Sequence, residues 1–169
     1  MSAVGQSSQA PQDGAPQACG AGRVWRSHAF DELSPHDLYA LLQLRSAVFV
    51  VEQNCLFLDL DGADSQAVHL LGWRDGRLDA YARCFGPGVV FPQASIGRIA
   101  TRMAARGGGL GHQLVREAIA LVLARWGRQP ICIGAQARLR HFYEGHGFVD
   151  LDKPYVEDGI DHLEMVWYP

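Results

Sequence analysis

Several marks of large protein classes are missing from this sequence. No apolar run approaches the roughly 20 residues that a membrane-spanning helix needs, so no membrane association is expected. The formal net charge of -3 gives no general basic field, so nucleic acid is not an expected partner. The seven histidines show no spacing typical of metal ligands, so no metal is expected.

The spacing of the four cysteines indicates a reducing compartment. Cys19, Cys55, Cys84 and Cys132 contain no CxxC pair and follow no signal-peptide hydrophobic segment, which favours a reducing cytoplasm. Cys55 and Cys84 could in principle carry a covalent acyl group, but burial as small hydrophobic side chains is the commoner use.

What remains is the composition of one soluble domain. The chain has 169 residues, 48% of them hydrophobic, which suffices for one core and is short for two full domains. Residues 1–22 consist of small residues, glutamine, proline and glycine, which cannot bury enough apolar surface to offset the entropy of ordering. We therefore expect a flexible tail over residues 1–22 and a single domain over residues 23–169.

The first half of the chain has the pattern of a strand, a helix and a hairpin. A strand is predicted over residues 24–30, and a helix over residues 35–49 begins after the capping residue Ser34. The acidic part of residues 50–66 is either a solvated loop or a wall of a binding site, and the irregular pattern favours the loop. Asp75-Gly76 lies between two short apolar segments and predicts a tight antiparallel hairpin.

The second half alternates strands and helices around a cluster of glycines. The helix after the cluster is apolar on most of its surface and is expected to be well buried. The predicted elements are a strand at 95–101, this helix near 110–126, a strand at 130–134, a helix at 137–144 and strands at 147–155 and 160–168. Because the stretch from 95 to 135 needs a parallel crossover, the fold class is α/β with a mixed sheet and helices packed on it.

The glycine cluster is the segment most suggestive of chemistry. Glycines between a strand and a helix expose backbone N–H groups at the positive end of the helix dipole, a combination that binds phosphate. A P-loop would need Lys-Ser/Thr after Gly111, where His112 and Gln113 follow. A dinucleotide site would need the turn early in the chain, with an acidic residue in the region where Arg125 lies. A glycine-rich connection without a ligand is the remaining alternative.

The order of segments around the turn resembles a known family. Arg106-Gly107-Gly108-Gly109-Leu110-Gly111 follows the strand end Ile99-Ala100-Thr101 and opens a helix. This resembles motif A of the GNAT superfamily of N-acetyltransferases, a strand followed by R/Q-x-x-G-x-G/A. The segment from Gln136 to Phe148 is similar to the second GNAT motif, in which a helix carries Tyr and ends before Gly-Phe. Residues 44–55, 134–137 and 157–162 further resemble the ElaA-like branch.

The resemblance implies a fold and a co-substrate. The fold is that of GNAT acyl-CoA N-acyltransferases, a mostly antiparallel central sheet that splays between its fourth and fifth strands, with helices on both faces. The co-substrate is acetyl-CoA, whose pantetheine arm enters the gap as a false strand and whose pyrophosphate lies on the glycine turn. The residues implied for its binding are Ile99, Ala100, Thr101, Arg106, Gly107, Gly108, Gly109, Leu110, Gly111, His112 and Gln136. Gln136 stands where relatives often have Asn, and Arg138 and Arg140 either reach the 3′-phosphate or are solvated.

The same resemblance implies one catalytic side chain, Tyr143, which would protonate or stabilise the leaving thiolate. Without the motif, an aromatic residue packed on the sheet would be the simpler interpretation. The base that deprotonates the acceptor amine is left open among Glu52, Glu157 and His162. Arg98 either faces the site and favours an acceptor with negative charge, or pairs with Asp59 or Asp61.

These features together predict a function. The chain is expected to transfer an acetyl group from acetyl-CoA to a primary amine of a small molecule or peptide by direct attack in a ternary complex. A noncatalytic acyl-CoA-binding module is the alternative, and a dinucleotide-dependent oxidoreductase is a weaker one. Folds of this kind often form dimers, so a homodimer is compatible with the resemblance.

Overall fold

The computed structural model describes residues 22–169. The predicted tail over residues 1–22 lies outside this range except for Gly22. The regular elements are the strands β1 (Val24–Ala29), β2 (Val68–Arg74), β3 (Arg77–Phe85), β4 (Ala94–Thr101), β5 (Ile131–Gln136), β6 (Phe148–Glu157) and β7 (Ile160–Trp167), and the helices α1 (Pro35–Arg45), α2 (Leu110–Trp126) and α3 (Arg140–Glu144).

The strands form one mixed sheet of seven in the order β1-β2-β3-β4-β5-β7-β6. The neighbours β4 and β5 are parallel and all other neighbours are antiparallel. The parallel pair is joined only where Ala94 meets Ile131 and Ser95 meets Cys132, and beyond these residues the two strands separate. The predicted splay between the fourth and fifth strands is confirmed, and the helical crossover α2 connects the separating pair.

Local sequence explains how α1 and the first hairpin form. The Ser34 hydroxyl accepts a hydrogen bond from the N–H of Asp37 (3.1 Å), as the predicted cap requires. The helix continues as a π-helical segment, Ser46–Glu52, three residues beyond its predicted end. Asp75 (φ 50°) and Gly76 (φ 72°) both adopt the left-handed conformation of a type I′ turn, and the predicted hairpin is confirmed.

Helices cover both faces of the sheet and create two cores. Alternate residues of β2 and β3 face opposite sides, so Leu70 packs towards α2 whereas Leu71 packs towards α1. The prediction of a well-buried α2 is too strong: Leu114, Ala118 and Val122 are buried, but the opposite face is exposed. The helix predicted at 137–144 begins as a 3₁₀ turn, Ala137–Leu139, and only then becomes α3.

No helix in the described part of the chain is long and apolar enough to cross a bilayer. In the same residues, no three His, Cys, Asp or Glu side chains come together as metal ligands would.

Candidate active site

A cavity of about 690 Å³ opens where β4 and β5 separate. Ile99, Phe142 and Tyr143 line it from the face of the sheet that carries α2, since all three belong to or pack against the core of that face. The strand neighbours of Ser95 and Gly134 point into the core beneath α2. Because successive residues of a strand face opposite sides of the sheet, Ser95 and Gly134 line the cavity from the other face. The gap between the two strands therefore connects the two faces of the sheet.

The glycine turn lies beside this cavity at the N-terminus of α2. Gly107 (φ 93°) and Gly109 (φ 76°) adopt backbone conformations that disfavour any other residue. Within residues 22–169, the N–H groups of residues 107–112 donate no hydrogen bond of good geometry; the first that does belongs to Gln113 and donates to the Gly109 carbonyl (3.0 Å). These N–H groups without a partner in that range lie at the positive end of a helix dipole and suit a pyrophosphate group.

The Arg106 side chain holds the turn in place and does not extend over it. Its guanidinium donates two hydrogen bonds to the Glu52 carboxylate (2.6 and 2.8 Å) and two to the Thr101 carbonyl (2.9 and 3.2 Å). The hydrogen bond from Arg106 lowers the pKa of Glu52, although partial burial acts in the other direction. A carboxylate held ionised by this pair is a weaker proton acceptor than an unpaired one.

The two sequence motifs meet at the start of α2. The ring of His112 lies 4.7 Å from that of Phe142, and its Nδ1 forms a hydrogen bond with Nε2 of His146 (2.9 Å). Gly111 faces the Phe142 ring so closely that a side chain would contact it. The turn and α3 are thereby fixed relative to each other.

Tyr143 is 6% exposed and lines the cavity from α3. Its ring packs edge-on against Phe142 and Phe148, with centroids 5.0 and 5.8 Å away. Burial raises the pKa of the Tyr143 hydroxyl to about 12. At neutral pH the phenol is protonated with or without this shift, and it can donate a proton or a hydrogen bond into the cavity.

A β-bulge interrupts β4 in the stretch that no longer pairs with β5. The register with β3 shifts between Tyr81 and Arg83, and Arg98 has a φ of 49°. On the other side, β5 pairs with no residue of β4 beyond Ser95, so the main chain of residues 97–101 has an open edge there. Ala100 is buried in the core beneath α1 and can offer only its backbone.

Arg98 belongs to a network of three arginines and three aspartates. It pairs with Asp59 (2.7 Å) and Asp61 (3.4 Å), which is one of its two predicted alternatives. The six members alternate in charge: Arg45 contacts Asp59 and Asp64, Arg83 contacts Asp61 and Asp64, and Arg98 contacts Asp59 and Asp61. The predicted loop is irregular and exposed at residues 60–62, but it is more than a solvated loop, because its aspartates pair with buried arginines of α1 and β3 and Asp61 lines the cavity.

His162 and its neighbours line the other face of the cavity. The Ile160 carbonyl accepts a hydrogen bond from Nδ1 of His162 (2.8 Å), which leaves Nε2 of the neutral ring unprotonated. The His162 ring stacks on Tyr155 at 5.4 Å. Glu157 is exposed and makes no ion pair within the described residues. Gln136 donates to Gln53 (3.0 Å) and accepts from Arg138 (3.1 Å).

The structure brings most of the predicted site residues to this one cavity. Those that line it are Glu52, Arg98, Ile99, Thr101, Arg106, Gly111, Gln136, Tyr143, Glu157 and His162. Gly107, Gly108, Gly109 and His112 are exposed outside it at the turn, whereas Ala100 and Leu110 are buried in separate cores. Cys84 is fully buried, which raises the pKa of its thiol to about 12, and neither it nor Cys55 lines the cavity.

Sequence reasoning missed Tyr155 and Ser95. The Tyr155 hydroxyl lies over Gly134 so closely that any side chain at 134 would collide with it. Ser95 is 2% exposed, and its hydroxyl has no hydrogen-bond partner among residues 22–169. Neither residue belongs to a motif, and only the pairing register of β4 to β7 reveals that they share the cavity.

Comparisons with known proteins agree with this geometry. Residues 66–169 match the family model described as "Acetyltransferase (GNAT) domain". Protein ElaA of Escherichia coli is 43% identical over 143 residues, which cover 83% of this chain and 94% of ElaA.

Solved structures give the same result. The crystal structure of E. coli ElaA has a TM-score of 0.80 and 41% identity, covering 86% of this chain and 99% of that one. An acyl-CoA N-acyltransferase from Pseudomonas aeruginosa has a TM-score of 0.80 and 42% identity, covering 85% and 99%. The chain belongs to the GNAT acetyltransferase family and, within it, is similar to ElaA over most of its length.

Proposed function

We propose that the chain transfers an acetyl group from acetyl-CoA to a primary amine of a small molecule or peptide, by direct attack in a ternary complex. The observation that carries this proposal is the cavity through the splayed sheet. It joins the side of the glycine turn and Tyr143 to the side of His162 and Glu157. A donor and an acceptor that enter from opposite faces would meet within the gap.

The residues of the turn suit the coenzyme of this family. The free N–H groups of residues 107–112 would hold its pyrophosphate, and the open edge of β4 at Ile99 and Thr101 would bind its pantetheine arm. When bound, acetyl-CoA supplies an activated acetyl thioester. The protein must then place the amine, remove one of its protons and supply a proton to the leaving sulfur.

Tyr143 has the properties of the acid in this scheme. Its hydroxyl is protonated at neutral pH, as a phenol normally is, burial raises its pKa further to about 12, and it lines the cavity on the coenzyme side. As the amine nitrogen bonds to the acetyl carbon and the carbon–sulfur bond breaks, the phenol would give its proton to the sulfur.

His162 is the better placed of the remaining base candidates. The Ile160 carbonyl fixes the tautomer in which Nε2 carries the lone pair, so the neutral ring can take a proton from the acceptor ammonium. Glu52 is occupied by Arg106, and Glu157 is the second candidate.

Two measurements test the proposal. Thermal unfolding with acetyl-CoA, CoA or NAD should show stabilisation by both CoA forms and none by NAD, because a ligand that binds only the folded state stabilises it. Thiol release from acetyl-CoA should then depend on an amine from a broad panel. Absence of a CoA shift would overturn the proposal. A CoA shift without turnover of any amine would favour the noncatalytic acyl-CoA-binding module.

A further inference from the structure

The face of the cavity opposite α2 holds arginines that cannot serve an anionic substrate. Arg83 and Arg98 line this face, but both are paired with carboxylates of residues 59–64. Arg45 completes the network from below, and with three arginines against three aspartates the group is neutral. The hydrogen bond from Arg83 holds the pKa of Asp61 far below its usual value, so the network stays ionised and neutral at physiological pH.

Two further arginines line the cavity outside this network, and only the first of them is paired with a carboxylate. Arg106 is held by Glu52 at the glycine turn. Arg138 follows the C-terminal end of β5, at the open mouth of the gap, where it donates to Gln136. Neither lies at the closed end of the gap, which Ser95 marks by its pairing with Cys132.

Two carboxylates that line the cavity from β6 and β7 are less firmly paired than the aspartates of residues 59–64. Glu157 makes no ion pair within residues 22–169, and Glu164 meets only the exposed Lys153 (3.1 Å). Both line the cavity next to His162, whose register partners are Gln136 and Tyr155. This wall attracts a cation and repels an anion.

The rest of this lining is largely aromatic, and the space next to it is open. Gly97 faces open space, and the surrounding lining includes Phe49, Phe57, Phe85 and Phe91. Arg83 and Arg98 cover Phe85 and Phe49 with their guanidinium groups, at 5.0 and 5.8 Å from the ring centroids. The buried Ser95 hydroxyl, which has no protein partner in the described range, lies beside Phe85 in the strand register.

We infer that the acceptor is an arylalkylamine or a similar primary amine with an apolar body and no carboxylate. This inference rests on the proposed function and names its substrate class. The ammonium group would lie near His162, Glu157 and Glu164, and the apolar body would lie against the phenylalanines. A carboxylate on the same molecule would face two acidic side chains, and the arginines of this face, Arg83 and Arg98, are already paired with aspartates, so its charge is disfavoured there.

Matched pairs of acceptors test the inference on the wild-type protein. The rate of thiol release from acetyl-CoA is measured with 2-phenylethylamine against phenylalanine, and with tyramine against tyrosine. We expect kcat/KM to be at least tenfold higher for the amine of each pair. Equal values, or a preference for the amino acids, would overturn the inference while leaving the acetyltransferase function intact. If no acceptor is used and CoA gives no thermal shift, the proposed function itself fails.

A variant of the arginine–aspartate network tests whether the pairing of its arginines causes the preference for an amine without a carboxylate. Asp61→Asn removes one carboxylate from Arg83 and Arg98 at a partly exposed position, and it should narrow the preference for amine over amino acid at least fivefold. Asp31→Asn, at an exposed residue outside the cavity, is the control and should leave the preference unchanged. An unchanged preference in a folded Asp61→Asn protein would show that the network does not exclude the carboxylate.

The aromatic wall could instead hold a long acyl chain, and a third comparison separates the two occupants. Ethylamine is assayed with acetyl-CoA and with hexanoyl-CoA. We expect hexanoyl-CoA to be no better than acetyl-CoA. If it raises kcat/KM as much as replacing ethylamine by 2-phenylethylamine does, the wall serves the donor and the inference is wrong.

Discussion

Tyr143 and His162 lie on opposite faces of the sheet, and their surroundings favour opposite roles in proton transfer. The phenol is buried among aromatic rings, which raises its pKa to about 12, whereas the neutral form of the imidazole has its lone pair on Nε2, because Nδ1 donates to a main-chain carbonyl. A pair of groups separated in this way can act as acid and base at the same pH.

Replacing Tyr143 by Phe removes the proton donor and keeps the ring that packs against Phe142 and Phe148. We expect kcat to fall by about 100-fold, the lower part of the range for general acid catalysis, with little change in the KM for acetyl-CoA. The control is Tyr39→Phe, which alters a tyrosine that is 71% exposed on α1. Steady-state kinetics from pH 6 to 10 decide the matter: a variant with full rate at every pH would exclude Tyr143 as the acid.

Replacing His162 by Gln removes the proton acceptor. We expect kcat/KM for the amine to fall at pH 7 and to recover as the pH approaches the pKa of the acceptor, because more of the amine is then already neutral. A loss that stays constant with pH would instead indicate a packing role against Tyr155. Glu157→Gln is assayed in parallel, and if it shows the pH-dependent loss while His162→Gln does not, Glu157 is the base.

At the scale of elements, a side chain of β6 packs over a glycine of β5. Gly134 leaves room for the Tyr155 hydroxyl, and the oxygen would collide with any side chain at 134. Tyr155→Phe removes that oxygen, while the ring carbon that carried it lies 3.6 Å from the added Cβ position, an ordinary contact.

A double-mutant cycle measures this fit. Gly134→Ala alone should lower the free energy of unfolding by about 1–3 kcal/mol, the usual cost of overpacking. In combination with Tyr155→Phe the cost should drop, giving a coupling energy of about 1 kcal/mol or more in urea unfolding. Simple additivity of the two single changes would contradict the contact.

Elements with local signals could be predicted from the sequence. The Ser34 cap, the Asp75-Gly76 turn and the strand–glycine–helix order are encoded within a few residues, and each is confirmed. The end of α1 was misjudged: the helix continues as a π-helical segment whose last residue, Glu52, pairs with Arg106, 54 residues further on, a contact that no local pattern indicates. Tyr155 and Ser95 were missed for a related reason, because their positions follow from strand register.

At the scale of the whole molecule, the arginine–aspartate network ties α1, the segment at 59–64, β3 and β4 together. Its partners are 14 to 39 residues apart in sequence, so no local pattern could have indicated more than the pairing of Arg98. Beneath it, His69 is buried and forms hydrogen bonds with Tyr81 (2.8 Å) and the Asp64 carbonyl (3.0 Å). The carbonyl must accept from Nε2, so Nδ1 accepts from the tyrosine and the ring is neutral.

This arrangement predicts how stability depends on pH. Burial lowers the pKa of His69 below its ordinary value of 6.5, so the unfolded chain takes up a proton first and stability falls as the pH drops below about 6.5. The pKa of Asp61 is lowered chiefly by Arg83, and that of Asp64 is lowered by Arg45 and Arg83 despite its burial, so both add a second loss below about pH 4. Each proton contributes at most about 1.4 kcal/mol per pH unit.

Urea unfolding at pH 8, 7, 6 and 5 tests the first of these losses. The wild type should have nearly the same free energy of unfolding at pH 8 and 7 and a lower one at pH 6 and 5. His69→Gln should weaken this dependence, and it should not abolish it, because burial also lowers the pKa of His146. His36→Gln changes an exposed histidine and controls for the loss of an imidazole as such. If His69→Gln keeps the full wild-type slope between pH 7 and 5, the buried neutral histidine is not the group that titrates.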